Sequence, residues 1–376
     1  MNRRSDIPAL ANKRYFNYGG QGTMPCCAID AIAEAYRFVQ EAGPFSNAIF
    51  KWMNDELAAT RHALNEELGG DADCWALTAS VTEGCNIVMW GLDWREGDHI
   101  LLTDSEHNGV VGAAENLARR HKLKLNYFAV AQKSSDEILH ALRDAMTPQT
   151  KLVVFSHVLW NTGQVLPVTE MVDIVERFGA QSLVDGAQSA GVIAMDLSRT
   201  DIDYYAITGH KWLCGPEGVG ALYVRQDRLA ELHPTYVGWR TDMTAHAGHV
   251  DGSRFEVATT AMPLLAGFRS ALAFHRRVGG APEEREQLVL ARSKFMRDKL
   301  RAIPKVRLLT ELDAGGGLTS FTVEGPKHSA LVHDLEAKHM MLRTIPTPDA
   351  VRASTHYFTS EDDINELASA IAELLN

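Results

Sequence analysis

Between about residues 75 and 224 the chain alternates short β-branched and apolar runs with longer stretches in which apolar residues recur every three or four positions. The runs WALTAS, HILLTD, LKLNYFAV, KLVVFSH, QSLVDG, DYYAITG and GALYV predict seven strands. The helical period predicts helices over 82–92, 109–121, 136–145 and 168–178, with Ser135 and Thr169 as candidate caps. Strand and helix in alternation predict an α/β fold with a mostly parallel sheet covered by helices. In such a sheet the chemistry collects in loops leaving the carboxyl ends of the strands.

After Asp251 the pattern changes. Helices are expected over 263–278, 282–301 and 360–375, with strands in LTSFTVE and MLRTI, which together read as a smaller α+β unit. The expected organisation is an N-terminal arm over 1–20, a large domain over 21–255 and a small C-terminal domain over 256–376. The Gly/His/Thr-rich stretch 238–252 reads as the linker.

A chain of 376 residues with 45% hydrophobic and 23% charged residues is long enough for two or three domains and has no disordered signature. Its 37 basic and 48 acidic residues give a net charge of -11, which disfavours nucleic acid and anionic membrane surfaces as partners. The five cysteines, Cys26, Cys27, Cys74, Cys85 and Cys214, lack Cys-x-x-Cys spacing, so neither a disulfide framework nor a metal site is expected. That usage fits a reducing cytoplasm. The N-terminal stretch has no continuous apolar core of a signal peptide. The longest apolar stretch, 258–274, is broken by Arg269 and is short of the ~20 residues a membrane span needs.

The segment TGHKWLCGPEGVGALYV sets Lys211 in a glycine-bounded turn between two strand candidates, flanked by His210 and Trp212 rather than by solvated charges. A lysine withdrawn from water loses its proton readily and becomes a Schiff-base nucleophile. Asp185 ends the strand in SLVDGAQSAG, 26 residues upstream, with Gln188 just beyond it. Adjacent strands can bring Lys211 and Asp185 together. Pyridoxal 5'-phosphate (PLP) works as an electron sink when its pyridine nitrogen stays protonated, and a carboxylate such as Asp185 supplies that pairing. An Asp ending a strand is otherwise a helix cap. In TASVTEGCN, Thr82 opens a helix whose N-terminus suits a phosphate, though such a start is also an ordinary cap. His107 in LLTDSEHNG follows another strand and can stack on a cofactor ring, or stand as a loop histidine. Asn161 in HVLWNTGQVLP can reach cofactor or substrate, or serve the turn that Asn-Thr-Gly forms.

Taken in order and spacing, SVTEGCN, EHNG, HVLWNTGQVLP, DGAQSAG, TGHKW and RFEVAT resemble the class V aminotransferase and cysteine desulfurase superfamily of fold type I PLP enzymes. The phrases YFNYGGQG, GPFS, WGLDW, PTYVGWR and LRTI are most similar to the L-cysteine/cystine C-S lyases within it. The resemblance implies that Lys211 holds PLP, Asp185 pairs with the pyridine nitrogen, Gln188 faces the 3'-oxygen and His107 stacks on the ring. It implies that Thr82, Thr208 and His210 hold the phosphate, and that Thr259 reaches a partner's phosphate across a homodimer interface. Arg352 matches the arginine for the substrate α-carboxylate, with Arg343 as a second cation and Asn161 nearby. Cysteine desulfurases carry a sulfur-accepting cysteine in the C-terminal half, whereas here no cysteine follows Cys214. The implied activity is therefore β-elimination of cysteine or cystine, with Lys211 and His107 as its catalytic groups.

Overall fold

The computed structural model describes residues 4–241, 250–310 and 315–375, so most of the expected linker, 242–249, lies outside the described residues. The chain opens with β1 (Arg14–Tyr15), α1 (Cys26–Glu41) and α2 (Asn47–Leu68). There follow β2 (Trp75–Thr78), α3 (Val81–Gly91), β3 (His99–Thr103), α4 (Asn108–His121) and β4 (Lys124–Phe128). Next come α5 (Ser135–Ala145), β5 (Thr150–Ser156), α6 (Val168–Arg177), β6 (Gln181–Asp185), β7 (Tyr204–Thr208) and β8 (Gly220–Val224). The C-terminal third holds α7 (Met262–Gly279), α8 (Pro282–Arg301), β9 (Val306–Leu308), β10 (Leu318–Val323) and α9 (His328–Ala337). It ends with β11 (Met340–Met341), β12 (Arg343–Pro346), β13 (Asp349–Ser354) and α10 (Glu361–Leu375).

The seven expected strands form one sheet in the order β2-β8-β7-β6-β5-β3-β4. Only β8 runs against the others. Every residue of β3, β7 and β8 is buried, as expected for strands covered on both faces. A second, antiparallel sheet has the order β12-β13-β10-β9, and β1 pairs with β11. The larger core follows the seven-stranded sheet. A smaller one, with Met296, Phe321, Leu335 and Leu367, joins the second sheet to α8, α9 and α10. A third cluster, including Tyr18, Trp212, Phe274, Leu318 and Phe358, lies where the two layers meet.

Local details depart from the sequence expectations. Ser134, not Ser135, caps α5, in a box with Glu137 three residues on. Pro167 precedes α6 and makes no side-chain cap, so Thr169 has no such role. At α3 the cap is Ser80, whose hydroxyl accepts from the Glu83 amide at 3.2 Å, leaving Thr82 free for other work. The single strand expected in MLRTI is two, β11 and β12, one in each small sheet. α7 opens the segment expected to be the smaller unit, yet its Met262, Leu265, Phe268 and Leu272 pack in the larger core.

Candidate active site

The carboxyl ends of β5, β6 and β7 converge on a cavity of about 290 Å³, closed from the other side by β12, β13 and the Gly19–Gly20 turn. Asp185 is the last residue of β6, in register with Ser156 on β5 and Ala206 on β7. Lys211 sits three residues past the end of β7. The segment just after the N-terminal arm presses on this turn. The amide of Gly22 donates to the His210 carbonyl at 2.6 Å, and a Cβ on Gly22 would come within 1.9 Å of the Lys211 carbonyl, so only glycine fits.

Burial pulls the Lys211 ammonium down to about 8; Asp185 opposes that shift, and Arg352 and Arg343 add to it. Burial also raises the Asp185 carboxyl, against the pull of Lys211 and of the Ala187 amide, which donates to Oδ1 at 2.8 Å. The two groups stabilise each other's charged forms in a site that otherwise disfavours both. A nucleophilic amine and a fixed carboxylate are thereby held at one end of one cavity.

His107 caps α4, its Nδ1 accepting from the Gly109 amide at 3.1 Å, which in the neutral ring leaves the proton on Nε2. Burial, then Lys211, lowers its affinity for a second proton. Trp160 meets the His107 ring edge-on, with centroids 5.5 Å apart. Thr208 Oγ1 and His210 Nδ1 lie 2.8 Å apart, and Ser80, Val81 and Thr82 add the N-terminus of α3 to the same wall. Gln188 is engaged at both ends of its amide. Nε2 donates to the Gly19 carbonyl and Oε1 accepts from Trp212 Nε1, both at 2.9 Å.

Arg343 on β12 and Arg352 on β13 are direct cross-strand partners. Like charges in that relation repel unless an anion lies between them. Arg352 is buried, donates from Nη1 to the Trp160 carbonyl at 2.7 Å, and is lowered to about 9 by burial and by Arg343. Arg343 is exposed and extends the cationic wall toward solvent.

Nine of the eleven residues singled out in the sequence line this cavity: Thr82, His107, Asp185, Gln188, Thr208, His210, Lys211, Arg343 and Arg352. Asn161 does not. Its Nδ2 reaches the Thr347 carbonyl only at 3.5 Å, and its backbone carbonyl accepts from Ser320 Oγ. Thr259 is exposed and lines a separate apolar groove with Phe45, Trp52, Trp239 and Met262. Sequence reasoning passed over Ser80, Trp160 and Gly19, all inside phrases it quoted. It also passed over Glu106, next to His107. This buried carboxylate accepts from Thr103 Oγ1 at 2.6 Å and from Ser156 N and Oγ at 2.9 and 2.7 Å, and burial lifts it to about 7.

The donor set fits PLP: an amine of lowered basicity, a buried carboxylate on a neighbouring strand, and a hydroxyl and imidazole cluster at a helix N-terminus. The chain belongs to the aminotransferase class-V family, which it matches over residues 14–367. Its fold is that of the fold type I PLP enzymes. A structure of the cystine C-S lyase C-DES with its reaction product cysteine persulfide is 44% identical, with a TM-score of 0.93 over 98% of this chain and 99% of that one. A mutant C-DES with glycine covalently linked to the PLP cofactor aligns at 0.94 with the same identity and coverage. Isopenicillin N epimerase of Streptomyces clavuligerus is 30% identical over 98% of this chain and 95% of its own length. A probable cysteine desulfurase of Halobacterium salinarum is 27% identical over 98% and 95%. Among the described residues, no helix is long and apolar enough to cross a membrane and no His/Cys/Asp/Glu group could hold a metal.

Proposed function

We propose that this protein is a PLP-dependent C-S lyase that converts cystine or cysteine by β-elimination to pyruvate, ammonia and cysteine persulfide or sulfide. The observation that carries the reading is the make-up of the cavity: an amine, a carboxylate and two opposed guanidinium groups, with no cysteine in the lining. All five cysteines lie elsewhere, three of them buried. A sulfur species expelled here has no thiol to receive it. The 44% identity to C-DES over almost the whole chain supports the same reading.

When bound, PLP supplies an electron sink for the pair left at the substrate Cα. Asp185 would hold a proton at the pyridine nitrogen. His107 offers a neutral ring whose Nε2-H is a donor rather than an imidazolium acid. Thr208, His210, Ser80, Thr82 and the start of α3 would hold the phosphate. Arg352 takes the substrate carboxylate as a fork, held in place by its bond to the Trp160 carbonyl. Lys211 would hold the cofactor aldehyde and, when its Nζ is free, is neutral enough near pH 8 to take the Cα proton there. Net loss of that proton and of the β-sulfur, with uptake of water, converts the substrate to pyruvate and ammonia.

The epimerase relatives support a second reading, in which a proton is returned to Cα instead of sulfur being lost. Incubating the protein with cystine, cysteine, selenocysteine and cysteine sulfoxides and measuring pyruvate tests both. Pyruvate in proportion to released sulfur is expected; racemised amino acid without pyruvate would replace elimination with epimerisation. We further propose a homodimer, in which exposed Thr259 would reach the partner's phosphate site as the family resemblance implies.

A further inference from the structure

Beyond the residues that line the cavity, one contact ties the carboxylate-binding strand to the lysine turn. Past Arg352, the chain leaving β13 runs through Ser354 and Thr355 to His356, which is fully buried. Its Nε2 lies 3.0 Å from the carbonyl oxygen of Trp212, the residue after Lys211. A carbonyl only accepts, so Nε2 carries the proton and donates. Burial holds the ring neutral, with its affinity for a second proton lowered to about 3.

The path from Arg352 to His356 is pinned along its length. The Ser354 amide donates to the Phe16 carbonyl at 2.8 Å and the Thr355 amide to the Gly317 carbonyl at 2.9 Å. The His356 amide donates to Thr359 Oγ1 at 2.9 Å. The imidazole is stacked between Tyr18, at 4.6 Å and 26°, and Phe358, at 4.7 Å and 11°. On the other side, the Trp212 indole is fully buried and donates to Gln188. A pinned segment and one hydrogen bond thus connect Arg352 to the Trp212 carbonyl, in the peptide that begins one residue after Lys211.

We propose that His356 is a positioning residue that couples carboxylate binding at Arg352 to the placement of Lys211. The proposal rests on the roles given above to Arg352 and Lys211. The coupling works by geometry, since the neutral ring neither titrates near neutral pH nor lines the cavity. Its effect belongs in kcat for carboxylate-bearing substrates more than in their KM.

His356→Phe keeps an aromatic ring in the stack and deletes only the donor; His356→Gln keeps a donor. The test is a double-mutant cycle of His356→Phe with Arg352→Lys, scored on kcat and KM for cystine. The expected result is a roughly tenfold loss of kcat in His356→Phe with KM within about twofold, partial recovery in His356→Gln, and a double variant little worse than Arg352→Lys alone. Hydrogen exchange of the cofactor-free protein gives a readout independent of turnover: residues 209–216 should exchange faster in His356→Phe than in wild type. Losses that multiply in the double variant, or unchanged exchange in that segment, would overturn the coupling. An Arg352→Lys variant with wild-type KM and kcat would instead overturn the carboxylate role on which the proposal stands.

Discussion

The basicity of Lys211 can be measured directly in the cofactor-free protein. Condensation with the PLP aldehyde needs the neutral amine. With a midpoint of about 8 rather than the ordinary 10.5, about one Lys211 in ten is neutral at pH 7, against about one in 3000 for an exposed lysine. The rate of PLP uptake, followed by its change in visible absorbance, should therefore rise only about tenfold between pH 7 and pH 10 and level off early. An unperturbed lysine would give a rise of several hundredfold with no plateau. Desolvation is the largest cause and Asp185 the one group that opposes it, so Asp185→Asn should move the midpoint down. Arg352→Met should move it up. The shift also bears on folding. A base whose folded pKa lies below its unfolded value weakens the native state by about 3 kcal/mol below pH 8, and that cost fades as pH rises to about 10.5. The cofactor-free protein should thus gain stability over that window, and Lys211→Met should not. An uptake rate that climbs steadily through pH 10, or a midpoint indifferent to both variants, would refute this reasoning.

Glu106→Gln should raise the thermal midpoint at pH 8 but not at pH 4, because burial lifts its folded pKa to about 7 and the native state loses stability as pH rises from about 4.5 to 7; equal midpoints at pH 8 would sink this. Replacing Cys26, Cys27, Cys74, Cys85 and Cys214 by alanine one at a time should leave pyruvate formation within about twofold, and a folded variant that loses turnover would point to a sulfur-accepting thiol. Sedimentation should find the active holoenzyme as a dimer, with Thr259→Ala weakening PLP retention; an active PLP-bound monomer would remove Thr259 from the site. Cystine should exceed cysteine in kcat/KM, since a perthiolate spreads its charge over two sulfurs and leaves more easily than hydrosulfide. Arg343→Ala should narrow that gap by releasing the second carboxylate, and an equal loss for both substrates would deny it that role.

The central sheet was legible because strands such as β3, β7 and β8 are buried on both faces: the continuous apolar runs HILLT, YYAIT and GALYV leave little room for another reading. Less legible were elements whose partners are distant in sequence. β13 carries the buried Arg352 in the run DAVRAS and shows neither clean alternation nor a β-rich composition. It is a strand because β10 and β12 flank it. α1 and α2 lie outside the strand-helix alternation, and α7 packs against both through a surface only the assembled chain defines. The smaller core likewise draws Phe16 from the far end of the chain.

The site divides along the same line. Asp185 ends a strand, and Lys211 and His107 come three and four residues after one, so the strand pattern alone puts them at the carboxyl edge of the sheet. The opposed pair Arg343 and Arg352 depends on the register of the β12–β13 hairpin, which the two-residue turn Thr347–Pro348 closes between Pro346 and Asp349. Glu106 and His356 were invisible for a further reason. Neither is unusual as a residue type, and each acts through a backbone group it meets only in the fold: the Ser156 amide in one case and the Trp212 carbonyl in the other. A sequence announces the groups that must be chemically special. It conceals those whose task is to hold an ordinary peptide still, and in this molecule such peptides flank both Asp185 and Lys211.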